Sequence, residues 1–141
     1  DSGIGQATAE LFAREGADVA ITYNTDAEGA RETARRVEAL GRRCLVIQDD
    51  VGDPASVAAT FDRVASELGI LDILVNNAGK QQSVEDFLDI SDEQFDETFK
   101  TNVYAMFWMT KAAVPHLAPG SAIISTSSIQ AYQPSPTLVD Y

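Results

Sequence analysis

The chain has 141 residues, 45% of them apolar and 23% charged, the composition of one ordinary water-facing globular domain. Its formal net charge of −12 argues against a nucleic-acid partner, because binding a polyanion requires Lys and Arg to neutralise phosphates. A single cysteine, Cys44, and a single histidine, His116, exclude an internal disulfide and leave a thiolate metal cluster or a Ser-His triad without support; no metal site is expected.

Residues 4–15 read as a helix, with Ile4, Ala7, Leu11 and Phe12 at helical spacing and Gly16 as its terminator. Residues 18–23 follow as a buried strand. The next helix spans 26–40, carrying Ala30, Ala34, Val37 and Leu40 on one face, with Gly41 just past its end. Residues 44–47 form a strand in which Cys44 is expected to act as a small buried hydrophobe. Asp53 caps a helix that has Pro54 at its first position. A strand covers 70–75, and 81–89 look irregular. Ser91-Asp92-Glu93-Gln94 has the form of a capping box and opens a long helix to about His116. A last strand, 122–125, enters the polar stretch Thr126-Ser127-Ser128.

Strands that are continuously apolar and alternate with helices define a parallel sheet covered on both faces. No internal repeat breaks this order. No apolar run reaches the roughly 18 residues of a membrane span, the nearest, 103–114, being interrupted by Lys111. Cytoplasmic residence without a membrane partner is the default expectation.

Two features carry chemistry. Gly3-Ile4-Gly5 runs directly into a helix, which suits a phosphate: the first glycine admits backbone approach, the second lets the helix pack closely, and the helix start offers N–H groups at a positive dipole end. The second feature is Ser128, thirteen positions before Tyr141. Reduction of a carbonyl by hydride needs a proton donor beside the developing alkoxide, and a positioned phenol can serve.

Together, Asp1-Ser2-Gly3-Ile4-Gly5, Asp50-Val51, Asn76-Asn77-Ala78-Gly79, Asn102 and Ser128…Tyr141 resemble the ordered motif set of the short-chain dehydrogenase/reductases. The stretch from Gly79-Lys80-Gln81 to Gln133-Pro134 is similar to the bacterial branch labelled glucose 1-dehydrogenase-like or aldehyde reductase-like. The resemblance implies a Rossmann-type, doubly wound parallel sheet with helices on both faces, here a single partial NAD(P)-binding domain over 1–141 whose first strand and C-terminal strands lie outside the sequence. It implies an NAD(P)-dependent oxidoreductase acting on a small alcohol or carbonyl compound, in a homo-oligomer (tetramer or dimer).

By the same resemblance Ser2, Gly3, Ile4 and Gly5 hold the pyrophosphate, and Asp50-Val51 touch the adenine. Asn77-Ala78-Gly79 end a strand beside the cofactor, although a purely structural turn also accounts for them. Tyr23, Asn24 and Thr25 occupy the strand end that chooses between cofactors. A carboxylate there would bind a ribose 2′-hydroxyl and repel a 2′-phosphate, and none occurs before Asp26, so NADP is favoured over NAD. Tyr141 is the implied acid/base, assisted by a lysine four positions beyond it. Ser128 would hydrogen-bond the substrate oxygen; strand alternation is expected to turn Ser127 the other way. Asn102 would anchor a water on the proton path. Tyr132 suits a loop or pocket better than acid/base work.

Phe99, Val103, Met106, Phe107 and Trp108 suit either core packing or a subunit interface. A nucleotide-sugar epimerase shares the fold but matches Asn76-Asn77-Ala78-Gly79 poorly. A nucleotide-sensing protein without catalysis is the alternative function. The isolated polypeptide is expected to aggregate and be inactive, because strands 18–23 and 70–75 would both lack a neighbour.

Overall fold

A computed structural model describes residues 3–141. Asp1 and Ser2, including the expected phosphate contact of Ser2, lie outside the described residues. The elements follow in the order α1 (Ile4–Arg14), β1 (Val19–Tyr23), α2 (Ala27–Ala39), β2 (Cys44–Gln48), α3 (Pro54–Leu68), β3 (Leu71–Asn76), α4 (Asp92–Phe99), α5 (Ala105–Ala113) and β4 (Leu117–Ser125). Short 3₁₀ turns occupy Phe87–Asp89, Val114–His116 and Ile129–Ala131.

The helix starts form where short polar side chains satisfy free N–H groups. Asp26 accepts from the Gly29 N–H at 2.9 Å, and Asp53 accepts from Ala55 at 3.0 Å ahead of Pro54. Ser91 accepts from Gln94 at 3.1 Å. The reciprocal half of that capping box is not made, because the Gln94 side chain is used elsewhere. At the other end of α3, Gly69 adopts φ 87°, which stops the helix and turns the chain into β3.

β1 pairs with β2 in parallel, from Val19 opposite Cys44 to Tyr23 opposite Gln48. β3 pairs with β4 in parallel, from Ile73 opposite Ala122 to Asn76 opposite Ser125. The two pairs share no ladder, and β1 and β3 face each other across a cavity. What joins them is α3: Val64 packs on Leu45 and Ile47 of β2, while Val57 and Phe61 pack on Leu74 of β3 and Ala113 of α5. Burial of a side chain such as Phe61 is worth about 1.5–3 kcal/mol, so this helix is a principal tie between the halves.

Four expectations need correction. The apolar face of α1 is not the one read from spacing: Ile4 and Leu11 are exposed, and Ala9 and Ala13 are buried against Val37 of α2, where small residues allow close helix approach. The long helix is not continuous, since Lys100–Tyr104 form a π turn with the Ala105 N–H bonded to the Lys100 carbonyl. β4 begins at Leu117, not Ala122. Gly120, at φ 97°, lets the strand bulge, and Ser121 Oγ holds the irregularity by accepting from Ala118 N–H and donating to the Leu71 carbonyl. Finally, β4 ends at Ser125, so strand alternation does not extend to Ser127 and Ser128.

Candidate functional site

A cavity of about 800 Å³ runs between β1 and β3 along their lengths, from Ala17 and Ile70 to Asn77-Ala78-Gly79 beyond the end of β3, and takes in the start of α1. Gly3 enters α1 at φ 94°, ψ −140°, a backbone region open only to glycine in practice. The helix start exposes N–H groups with no intrahelical acceptor, which is where an anionic phosphate is stabilised. Gly5 lies so near β3 that an added Cβ would stand 3.2 Å from Asn77 Nδ2. Gly5 therefore sets the spacing between the glycine turn and β3, while Ile4 begins the helix and is exposed.

Asn77, Ala78 and Gly79 line the cavity where β3 ends. Asn77 Oδ1 accepts from Thr126 Oγ1 at 3.0 Å, fastening the ends of β3 and β4. Its neighbour Asn76 donates to Thr110 Oγ1 at 3.3 Å and leaves Oδ1 buried without a partner. A structural role for this motif is therefore on display, as the sequence alone allowed.

Asn102 also lines the cavity, from the π turn. Its amide forms a two-point clamp on one peptide unit: Oδ1 accepts from the Lys80 N–H at 2.6 Å, and Nδ2 donates to the Lys80 carbonyl at 2.7 Å. Both polar atoms are thus engaged by backbone. The Lys80 ammonium pairs with Glu97 on α4.

Ser128 and Tyr141 line the same cavity, and so does Ser127. The expected separation of the two serines onto opposite sides does not hold, because residues 126–128 are irregular and no longer follow the pleat. They differ instead in environment. Ser127 is exposed, whereas Ser128 is half-buried and its Oγ accepts from the Gln130 N–H at 3.2 Å. Tyr141 closes a turn through its N–H to the Leu138 carbonyl and is 39% exposed. Tyr132 is 88% exposed and outside the cavity wall.

Val51 reaches the cavity wall; Tyr23, Asn24, Thr25 and Asp50 do not. Those four stand together at the ends of β1 and β2, joined by bonds from Asp49 N–H to the Tyr23 carbonyl and from Gln48 Nε2 to the Asn24 carbonyl. Asp50 Oδ1 accepts from the Gly52 N–H at 2.9 Å. Asp49 beside it is buried and takes a 2.6 Å bond from Ser56 Oγ.

Sequence reasoning missed Asp140. It is buried beside the exposed Tyr141, and its Oδ2 accepts from Gln94 Nε2 at 3.1 Å and Thr98 Oγ1 at 2.8 Å. Burial pushes its pKa up, but these bonds, together with its own backbone N–H and the Lys80 charge, more than offset that, and the carboxyl lies below the usual carboxylate range. An acid directly after the proline-containing stretch 134–139 was the available signal. Cys44 is half-buried, and desolvation raises its thiol to about 11, the behaviour of an unreactive core residue. Among the described residues, no group of three or more His, Cys, Asp or Glu could hold a metal ion, and no helix is long and apolar enough to cross a membrane.

Parallel strands flanked by helices, with a glycine-entered helix and a largely apolar cavity between the two strand pairs that reaches Asn77-Ala78-Gly79 at the end of β3, define a doubly wound nucleotide-binding fold. A family profile described as enoyl-(acyl carrier protein) reductase matches residues 1–141. General stress protein 39 of Bacillus subtilis is 51% identical over 141 residues, covering all of this chain and 49% of that protein. A chloroplastic NADPH-dependent aldehyde reductase 1 of Arabidopsis thaliana is 33% identical over 147 residues, covering all of this chain and 51% of its own. A short-chain dehydrogenase from Burkholderia cenocepacia, solved in complex with NADP, superposes with a TM-score of 0.91 at 43% identity over 96% of this chain and 55% of its own. The chain belongs to the short-chain dehydrogenase/reductase family. It spans about half the length of the curated relatives it matches.

Proposed function

We propose that the protein carrying this chain is an NADP(H)-dependent oxidoreductase that interconverts a carbonyl and a secondary or primary alcohol on a small substrate, with NAD as the second choice of cofactor. One observation carries the proposal: Gly5, Asn77, Gly79, Asn102, Ser128 and Tyr141, drawn from five separate segments, border a single cavity. The nucleotide-sensing alternative is not favoured, since relatives compared above bear reductase and dehydrogenase names.

The residues suit a dinucleotide. A side chain at position 3 would be strained by its positive φ, and one at position 5 would press on Asn77, so a bare backbone is kept where a pyrophosphate would lie. The first turn of α1 would hold the pyrophosphate, Val51 and Asp50 the adenine, and Asn77-Ala78-Gly79 the ribose beside the nicotinamide. Asp26, the nearest acid after Tyr23, is committed as the cap of α2, which leaves Asn24 and Thr25 to meet a 2′-phosphate as neutral donors. When bound, the nicotinamide supplies or accepts the hydride.

Tyr141 would give its hydroxyl proton to the substrate oxygen in reduction and recover it in oxidation. Ser128 would donate to that same oxygen and hold it in line. Asn102, through its clamp on Lys80, would fix the wall on which the proton-carrying water rests. A positioned acid of this kind is worth about 10²–10⁴ in rate.

The proposal includes a cytoplasmic location and a homo-oligomer, tetramer or dimer. Trp108 packs on the core, but Phe95, Val103, Tyr104 and Phe107 form an exposed apolar face on α4, the π turn and α5, which a second copy would cover. Light scattering on the complete protein tests that part. The catalytic part is tested by following NADPH consumption with sugars, aldehydes and ketoacyl thioesters. Failure of all three classes with both nicotinamides would reject it.

A further inference from the structure

We propose that Asp140 is a positioning residue: its carboxylate, gripped by Gln94 and Thr98, hangs the catalytic tyrosine from α4. The inference rests on the assignment of Tyr141 as the acid/base. Residues 139–141 alternate sharply in environment, with Val139 53% exposed, Asp140 6% and Tyr141 39%. Only the acid is driven inward, and a carboxylate is the least suited of the three to burial. It makes no direct ion pair there among the described residues: two neutral side-chain donors meet Oδ2, its own backbone N–H and the more distant Lys80 charge add to them, and no other side chain meets the buried Oδ1. A costly arrangement of this kind persists where the surroundings over-determine it.

The donors are themselves specialised. Gln94 and Thr98 stand one turn apart on the inner face of α4, 8% and 1% exposed. Gln94 occupies the position from which a glutamine ordinarily closes the capping box, yet its amide reaches Asp140. The rest of the approach to Tyr141 is held by backbone turns and loop bonds: Leu138 to Ser135, Tyr141 to Leu138, Ser135 to Gln130 Oε1, and Val84 to Thr137. None of these reaches an α-helix or a strand, Gln130 standing in the short 3₁₀ turn Ile129–Ala131. Among the hydrogen bonds of the described residues, those of the Asp140 side chain alone tie 132–141 to an α-helix or a strand. Because α4 runs straight into the π turn, Asn102 and Tyr141 share one rigid support. Their separation is then set by the helix and not by the loop.

Both bonds go to Oδ2, which makes the inference separable from a charge effect. Asparagine can present its carbonyl oxygen in that place and keep both donors, whereas leucine keeps the volume and loses both. In the complete protein carrying this chain, kcat for NADPH-dependent reduction of 4-nitrobenzaldehyde, NADPH affinity and amide hydrogen exchange over 132–141 would be measured. Asp140→Leu and the pair Gln94→Leu with Thr98→Val are each expected to lower kcat by about 100-fold, the scale of a 1 Å misplacement of a catalytic group, with NADPH affinity held within about twofold. Exchange over 132–141 quickens in both, and Asp140→Asn restores kcat to within about threefold and exchange to the wild-type rate, since one carbonyl oxygen suffices.

An Asn variant as impaired as the Leu variant would overturn the proposal, as would kcat losses matched by equal losses of NADPH affinity. Should Asp140→Leu fail to fold, the α4 pair decides. Unchanged exchange and unchanged kcat in that pair, beside an inactive Tyr141→Phe, reject the positioning role alone. An active Tyr141→Phe rejects the underlying assignment, and the exchange data then still report whether Asp140 orders the segment.

Discussion

The two halves of this chain are built by different means. From α1 to β2, the part proposed to meet the cofactor rests on backbone: a glycine at positive φ, a helix start, and a parallel ladder from Val19 to Tyr23. Most of its charged side chains pair at the surface, as Glu28, Glu32, Arg35 and Arg36 do along α2, although Gln6 donates to the buried Thr33 between α1 and α2. From β3 to Tyr141 the polar side chains turn inward and bridge long stretches of sequence. Asn102 clamps Lys80, Thr126 grips Asn77, and Gln94 and Thr98 grip Asp140. Binding a constant ligand needs fixed backbone; moving a proton on a variable substrate needs side chains held to a fraction of an ångström.

This contrast can be broken by substitution. The largest effect is expected from Tyr141→Phe, which should lower kcat by about 10²–10⁴-fold while leaving NADPH binding intact by fluorescence titration. Next comes Asn102→Leu, which removes both bonds to Lys80; we expect a loss of about 1–3 kcal/mol in urea denaturation and a fall in kcat. A similar loss of stability without that fall would put Asn102 on the structural side.

In the first half, Gly3→Val should cost about 1–3 kcal/mol and weaken NADPH binding more than it lowers kcat, because the strain lies in backbone that meets the nucleotide. A kcat effect at unchanged affinity would blur the division drawn here. Smaller still is an acid effect. The folded pKa of Asp140 is depressed, so its stabilisation is complete above the unfolded value of about 3.9 and is lost as the pH falls through the lower folded value. Denaturation midpoints taken from pH 5 down to pH 2 should show that slope, reduced in Asp140→Asn. At the bottom, Glu32→Gln should leave the thermal midpoint unchanged: Arg35 and Arg36 lower the Glu32 pKa, but the group is open to solvent and screened.

What could be read without coordinates was whatever depends on local pattern. Asp53 and Ser91 announced two helix starts, and each accepts the expected N–H, while Asp26, read as the first residue of its helix, caps it instead. The strand–helix alternation gave the parallel pairing. The π turn at Lys100–Tyr104 was hidden because its apolar spacing continues from α4 into α5, and only the distant Lys80 peptide reveals what Asn102 is doing. The early start of β4 was masked by Pro119 and Gly120, residues usually depleted in strands. Asp140 was hidden for a third reason: nothing near it in sequence shows that Gln94 and Thr98 arrive from forty-odd positions away. Local chemistry spelled out the glycine-entered half; the half from β3 onward is written in contacts that only folding brings about.

One main-chain bond has a further consequence for anyone redesigning selectivity. The Val84 N–H donates to the Thr137 carbonyl at 2.9 Å, so the segment after β3 and the approach to Tyr141 form one seam. Grafting either loop alone from a relative would tear that seam and leave an amide without its acceptor. Transplanting 81–89 and 129–139 as a matched pair would carry the stitch across, and new preferences would arrive with Tyr141 still in register.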